Sequence, residues 1–177
     1  GITLGNLDLK DNLSNYSTDQ AGADNNGRNL KATFNFNRLQ KITNKTNILL
    51  KFNGQVAAAN LDGGEQLTLG GPNAVRAYAS SEAAGDAGFT TGVELKRNFF
   101  NLPTTLFYDY GQIRLHKNKY ALKGWGLSMD VPVFNLFTVQ LSHSRTIKGN
   151  SGADSDGLDV DGLSWDGRTF ITLSKQY

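Results

Sequence analysis

Apolar and polar residues alternate with period two along most of this chain. The clearest stretch is 30–42, where Leu30, Ala32, Phe34 and Phe36 alternate with Lys31, Thr33, Asn35 and Asn37. Alternation of this kind puts one set of side chains on each face of an extended strand. Near 47–60, Ile48, Leu50, Phe52, Val56 and Ala58 alternate with Lys51, Asn53 and Gln55. Near 88–99, Phe89, Val93 and Leu95 oppose Gly92, Glu94 and Lys96. Leu106, Tyr108 and Tyr110 oppose Phe107, Asp109 and Gly111 over 104–116. Over 121–133, Trp125, Leu127, Met129 and Val131 oppose Gly124, Gly126, Ser128 and Asp130. Phe137, Val139 and Leu141 alternate with Thr138, Gln140 and Ser142 over 136–147. The last stretch, 167–177, carries Ile171, Leu173 and Tyr177 on one face. The first, 2–11, carries Ile2, Leu4, Leu7 and Leu9, and completes a set of eight predicted strands.

The connections sort by length. Long segments at 12–29, 61–87 and 148–166 alternate with short ones at 43–46, 100–103 and 134–135, with a medium one at 117–120. The long ones are rich in Gly, Asp, Asn and Ser, the residues of solvated loops. Short turns on one side and long loops on the other, with an even number of strands, predict an antiparallel transmembrane β-barrel. The chain is therefore expected to be all-β and one domain, with 148–166 mobile.

Composition is consistent with this and removes competitors. Hydrophobic residues make up 38% of the chain and mean hydropathy is −0.40. No apolar run approaches the ~18 residues of a membrane helix. A barrel survives that test, because its strands average out to a polar composition. A net charge of +2 does not argue for nucleic acid as a partner. The chain has no Cys, so disulfides and thiolate metal sites are excluded. No secretory signal begins at Gly1, which for an exported protein implies a mature, truncated or recombinant chain.

Candidate chemistry is sparse. Asp154, Asp156, Asp159 and Asp161 resemble pieces of a calcium loop, but the spacing fails and no Glu closes it. A solvated acidic surface loop is expected, with loose calcium or lipopolysaccharide contact as the alternative. His116 and His143 lack a third ligand. Ser142, His143 and Ser144 are consecutive, with no spatial triad implied. Gly70-Gly71-Pro72 lacks the Lys-Ser/Thr ending of a phosphate loop. No catalytic residue, metal or cofactor is expected, and the chain does not read as an enzyme. Tyr108, Tyr110, Tyr120, Trp125 and Tyr177 suit an aromatic girdle. Lys31, Asn35, Lys51, Asn53, Gln55, Glu94 and Lys96 would line a wet interior. That interior suits passage of an extended polar chain or simple solvation.

Two segments stand out. Leu69-Gly-Gly-Pro-Asn-Ala-Val-Arg-Ala-Tyr78 places Arg76 after a Gly-Pro-Asn turn, and Phe107-Tyr-Asp-Tyr-Gly111 places Asp109 inside an aromatic strand. If Leu106, Tyr108 and Tyr110 face lipid, Asp109 and Gly111 face inward. A loop arginine and a wall aspartate can form a bidentate, charge-assisted pair, with Gly111 leaving room for close approach of the loop backbone. The alternative is a solvated loop cation. The pairing resembles the Val-Arg-Gly-Tyr loop motif and the Phe-x-Asp-x-Gly strand motif of two-partner secretion transporters, the TpsB (FhaC/ShlB-like) members of the BamA superfamily. Here the loop motif is Val75, Arg76, Ala77 and Tyr78, and the strand motif is Phe107, Asp109 and Gly111. Ala77 stands where that family often has glycine. Gly5-Asn-Leu-Asp-Leu9, Asn37-Arg-Leu-Gln40, Asn60-Leu-Asp62, Gly85-Asp86 and Ser174-Lys-Gln-Tyr177 resemble further family landmarks.

The resemblance implies a location in the bacterial outer membrane and export of a large haemolysin- or adhesin-like exoprotein without ATP. It implies that residues 1–177 are the C-terminal half of a sixteen-stranded barrel, without POTRA domains or the first strands. Eight strands alone would expose two edges, so closure needs the remaining strands, a second copy, or a self-closed eight-stranded barrel. Implied partners are the exoprotein, outer-membrane lipid and the barrel-assembly machinery, which would read the terminal Tyr177. An assembly factor of the BamA superfamily and a purely structural barrel are the alternative functions.

Overall fold

The computed structural model describes residues 1–14, 27–115, 118–134, 136–164 and 166–175. Its strands in chain order are β1 (Ile2–Ser14), β2 (Gly27–Thr43), β3 (Thr46–Ala57), β4 (Leu67–Leu69), β5 (Ala83–Gly85), β6 (Ala87–Phe99), β7 (Leu102–Leu115), β8 (Asn118–Val133), β9 (Phe137–Thr146) and β10 (Gly167–Lys175). The eight long strands form one antiparallel sheet in the order β1-β2-β3-β6-β7-β8-β9-β10. β4 and β5 pair separately as a small hairpin inside the segment between β3 and β6. The fold is all-β, as the period-two pattern predicts.

Short turns set the register. Phe100 and Asn101 join β6 to β7 with φ of 49° and 65°. Positive φ at both central residues is the primed turn geometry that matches the strand twist. This two-residue turn lets β7 begin at Leu102, earlier than the alternation suggests. β3 stops at Ala57 rather than at 60, where the chain leaves the sheet to start the long connection. β4, β5 and the 3₁₀ turn Gly63–Glu65 within that connection were not expected. Three-residue elements are too short to show a period.

The sheet has two unlike faces. On one, Phe34, Phe52, Phe89 and Tyr110 form a ladder across four strands, with neighbouring ring centroids 5.5, 5.6 and 5.8 Å apart. Tyr108, Trp125, Leu127 and Leu141 share this exposed face. Tyr120 does not, contrary to the girdle expectation. It pairs with Ile113 on the opposite face and packs on the core beside Leu122. Tyr177 lies outside the described residues. In β1 the apolar positions change face. Leu7 and Leu9 lie opposite Phe34 and Ala32, whereas Leu4 lies opposite Asn37.

β1 and β10 stand at the two ends of the strand order, and among the described residues no pairing joins them. An eight-stranded barrel has an interior just wide enough for its own side chains, and here a whole loop occupies the second face.

That loop supplies the core. Leu69, Val75, Ala77, Tyr78 and Ala83 pack with Ile113 of β7 and Leu122 of β8. Gly111 and Gly124 make the seat. A Cβ at Gly124 would lie 2.3 Å from the Ala77 Cβ, and one at Gly111 would lie 2.7 Å from Leu69 Cδ2 and 3.0 Å from Val75 Cγ2. Gly111 therefore admits loop side chains, not the loop backbone.

The seat predicts a coupling. Gly111→Ala should destabilise the protein by about 1–3 kcal/mol through overpacking, and Leu69→Ala by about 2–5 kcal/mol through the cavity. Because the added methyl fills space vacated by Leu69, the double variant should cost at least about 1 kcal/mol less than the sum. Chemical denaturation of the four proteins measures this, and simple additivity would remove the contact.

Candidate functional site

The loop between β3 and β6 is clamped at its foot before it reaches the sheet. Asp86 Oδ1 accepts from Leu61 N at 3.0 Å and from Gln66 Nε2 at 3.0 Å. Gln55 Nε2 donates to the carbonyls of Glu65 (3.1 Å) and Asp86 (3.3 Å). Lys31 Nζ donates to the Glu65 carbonyl at 3.1 Å and pairs with its carboxylate. The β4–β5 hairpin then carries the tip. Gly70 and Gly71 open it with φ of +85° and +89°. A Cβ at Gly70 would lie 2.1 Å from the Ala79 carbonyl oxygen, so only glycine fits this turn. Gly71 N donates to Tyr78 O at 3.1 Å, and Tyr78 N to Val75 O at 3.2 Å. These bonds fold 71–78 into a compact knuckle with Arg76 at its end.

Arg76 meets the wall at several points. Its Nε donates to Asp109 Oδ2 at 2.8 Å and its Nη2 to Asp109 Oδ1 at 2.8 Å, a two-pronged pair. Its backbone N donates to Asp109 Oδ2 at 3.1 Å. Nη1 lies 3.0 Å from Glu94 Oε1. The guanidinium carbon sits 3.4 Å from the centroid of the Phe107 ring, a cation–π stack. Ser144 Oγ donates to the Arg76 carbonyl at 2.6 Å, which ties the tip to β9. Both carboxylates are 3% exposed. Glu94 also bridges Lys51 (2.5 Å) and Lys96 (3.2 Å). Burial works against the Arg76 charge, but Asp109 and Glu94 outweigh it and hold the guanidinium above its ordinary pKa. Beneath this cluster lies a polar cavity of about 210 Å³, lined by Asn73, Arg76, Glu94, Asp130, Gln140 and Thr172 among others.

A second set of contacts holds the loop from behind. Tyr78 Oη lies 2.8 Å from the Gly149 carbonyl and 3.1 Å from that of Lys123. The Glu82 carboxylate accepts from Asn150 Nδ2 at 2.5 Å and from Val160 N at 3.0 Å. Asn150 Nδ2 also reaches Asp159 Oδ1 at 2.7 Å. Arg168, on β10, pairs with Asp159 and with Asp161 at 2.9 Å. Burial pushes the Glu82 carboxyl up, with Asp159 and Asp161 acting in the same direction.

The predicted site residues divide as follows. Val75, Arg76, Ala77 and Tyr78 come together with Phe107, Asp109 and Gly111, and Arg76 is not a solvated loop cation. Ala77 is accommodated because its φ is not positive; its methyl sits over Gly124. The expected assembly signal Tyr177 and the candidate His116 lie outside the described residues. His143 Nδ1 lies 2.9 Å from Thr169 Oγ1. Strand alternation puts His143 on the face away from Ser142 and Ser144. The acidic segment departs from a simple solvated loop. Asp159 is buried and ion-paired to Arg168. Within the stretch expected to be mobile, Asn150 and Val160 bond to Glu82 of the Arg76 loop. Glu94 was read only as an interior-lining group. Its position two residues after Gly92, the cross-strand partner of Asp109, was the available signal for a second Arg76 partner. Ser144, Glu82 and Arg168 gave no comparable signal.

Residues 5–133 match the family model described as haemolysin secretion/activation protein ShlB/FhaC/HecB. No curated protein and no solved structure matches the chain. The matched span runs from β1 to the last residue of β8, and so contains the whole Arg76 loop, Glu94, Phe107 and Asp109. Asn150, Asp159 and Arg168 lie beyond it. With most of its length matched, and with the arginine of that loop docked on the aspartate of its strand, the chain belongs to the ShlB/FhaC/HecB family of haemolysin secretion/activation proteins.

Proposed function

We propose that this chain forms part of an outer-membrane pore that passes a large exoprotein of the haemolysin or adhesin kind to the cell surface. The observation that carries this is the Arg76 knuckle held against a sheet wall by Asp109, Glu94 and Phe107. A loop of this size needs a lumen wider than eight strands enclose. Two unpaired edges in lipid would each leave a row of backbone groups unsatisfied. Both points favour the chain as the C-terminal eight strands of a sixteen-stranded barrel.

On this reading the exoprotein crosses unfolded, and its folding outside supplies the drive. No chemical step is required of the chain. The polar cavity below Arg76, with Asp130, Gln140 and Thr172, offers exchangeable hydrogen-bonding partners to an extended backbone. Arg76 and its loop stabilise the pore and shift during passage.

Two measurements in the full-length transporter follow. Arg76→Ala strands Asp109, a loss of about 3–5 kcal/mol when such a pair is buried and less in a wet lumen. Secretion should fall at least tenfold while the amount of inserted, heat-modifiable barrel changes less than twofold. Arg76→Lys keeps the charge but not the two-pronged geometry, and should fall between the two. Normal export from Arg76→Ala would end the proposal for this loop. Motion of the loop is tested by a reducible tether. Ala77→Cys with Gly124→Cys joins loop to wall after the Cβ separation widens by about 1.5 Å, toward the roughly 3.8 Å of a disulfide. Export should stop when the tether forms and return on reduction. Undiminished export through the oxidised protein would show that the loop stays in place.

A further inference from the structure

Among the described residues, the face away from the loop carries four cations that no acid answers. Arg114 lies directly opposite Lys119, Lys123 opposite Tyr110, and Arg145 opposite Trp125. All four sit toward the loop ends of β7, β8 and β9. Arg114, Lys119 and Arg145 are exposed and Lys123 is half-buried. Among the described residues, none of the four side chains forms an ion pair or a hydrogen bond. At the turn end the cations of this face behave differently. Arg97 stacks on Phe99 at 5.4 Å, and Arg38 donates to Gln40 at 3.4 Å.

Two like charges directly across a strand pair repel one another. The Arg114–Lys119 pair is therefore unfavourable unless an anion sits between them. Lys123 and Arg145 form a second two-cation cluster, diagonal across β8 and β9. Each cluster opens onto an apolar groove. One, of about 520 Å³, is floored by Trp125, Leu127, Met129 and Leu141, with Arg145 at its loop end. The other, of about 340 Å³, is lined by Val56, Ala87 and Phe89, with Arg114 and Lys119 on its rim.

We propose that this face binds a phosphorylated lipid with several acyl chains. Chains lie in the two grooves, and a phosphate group sits on each cation cluster. A phosphomonoester carries about −1.5 to −2 charges at pH 7, which a two-cation cluster matches. Arginine adds a planar fork for phosphate oxygens. The lipid is one of the loop-side leaflet, since the cations lie above the grooves toward the loops. This inference rests on the outer-membrane reading above.

The test uses the full-length transporter, purified and stripped of lipid. It is equilibrated with an equimolar mixture of diphosphoryl lipid A and the same lipid with its phosphates removed, and bound lipid is counted by native mass spectrometry. The wild type should retain the diphosphoryl form at least tenfold over the dephosphorylated one. The variant Arg114→Gln, Lys119→Gln, Lys123→Gln, Arg145→Gln should lose that preference while still binding acyl chains. Should this variant fail to fold, Lys119→Gln and Arg145→Gln alone should each lower the preference about threefold. Equal retention of both lipids by the wild type, or an undiminished preference in the variants, overturns the site. Displacement by millimolar inorganic phosphate would make it a free-anion site instead and overturn the lipid assignment. Phosphatidylglycerol competing on equal terms would overturn the requirement for two phosphates. A wild-type protein that shows no heat-modifiable barrel removes the outer-membrane reading and this site with it. A folded barrel that does not discriminate removes this site alone.

Discussion

The Arg76 guanidinium, held on Asp109 and Glu94 above the Phe107 ring, is the contact from which the other features of this structure follow. Burying an arginine is costly, and the cost is met only where every donor finds an acceptor. Here Nε and Nη2 share one carboxylate, Nη1 takes a second, and the face of the group lies on an aromatic ring. The second carboxylate is itself held by Lys51 and Lys96, so the cluster carries three cations against two acids. This arrangement fixes how deep the loop tip reaches. It therefore fixes where the sheet must provide space.

That requirement explains the glycines. Gly111 and Gly124 lie on β7 and β8 on the same face as Asp109, and each faces a loop side chain that a Cβ would strike. Glycine weakens a strand interior, so its placement here follows from the depth of Arg76, not from strand chemistry. The apolar knuckle is correspondingly modest in bulk. Val75, Ala77 and Leu69 fill the seat, and Tyr78 packs beside Leu122 with its hydroxyl between the carbonyls of Lys123 on β8 and Gly149 in the β9–β10 loop. The tip thus has a wall contact through Arg76 and a rear contact through Tyr78 and Glu82.

The eight long strands, the direction of most faces and the Arg76–Asp109 pairing were legible in the sequence, because each depends on a local period or a distinctive pair of motifs. Tyr120 was misplaced, since an aromatic on an alternating strand fits an exposed belt and a loop-covered core equally well. Its partner Ile113 settles the face only once the register is known. The rear contact was not legible at all. Asn150, Asp159 and Arg168 come from a Gly- and Asp-rich stretch and the strand after it, where composition alone reads as solvated loop. Arg168 acquires meaning only because β10 lies beside β9, which places it across from Ser144. Long-range pairing between a loop and a strand leaves no periodic trace.

The two holds on the loop differ in what releases them, and this bears on the proposed transport. The wall contact is a charge cluster open to a polar cavity, so a passing backbone can trade its own hydrogen bonds for those of Asp109 and Glu94. The rear contact rests on a buried carboxyl, Glu82, whose raised pKa reflects burial against the neighbouring acids Asp159 and Asp161. A raised folded-state pKa means that the docked state binds the proton more tightly than the free loop. Docking through Glu82 is therefore favoured as pH falls through that pKa toward the ordinary value of 4.5, and weakened as pH rises above it. Arg168 offsets part of this by pairing both of those aspartates. On the proposed reading, a polypeptide entering from below would meet the exchangeable contact first. The loop would then yield at Arg76 while Tyr78 and Glu82 still tether its far side, and the pore would open by a hinged displacement with the loop retained.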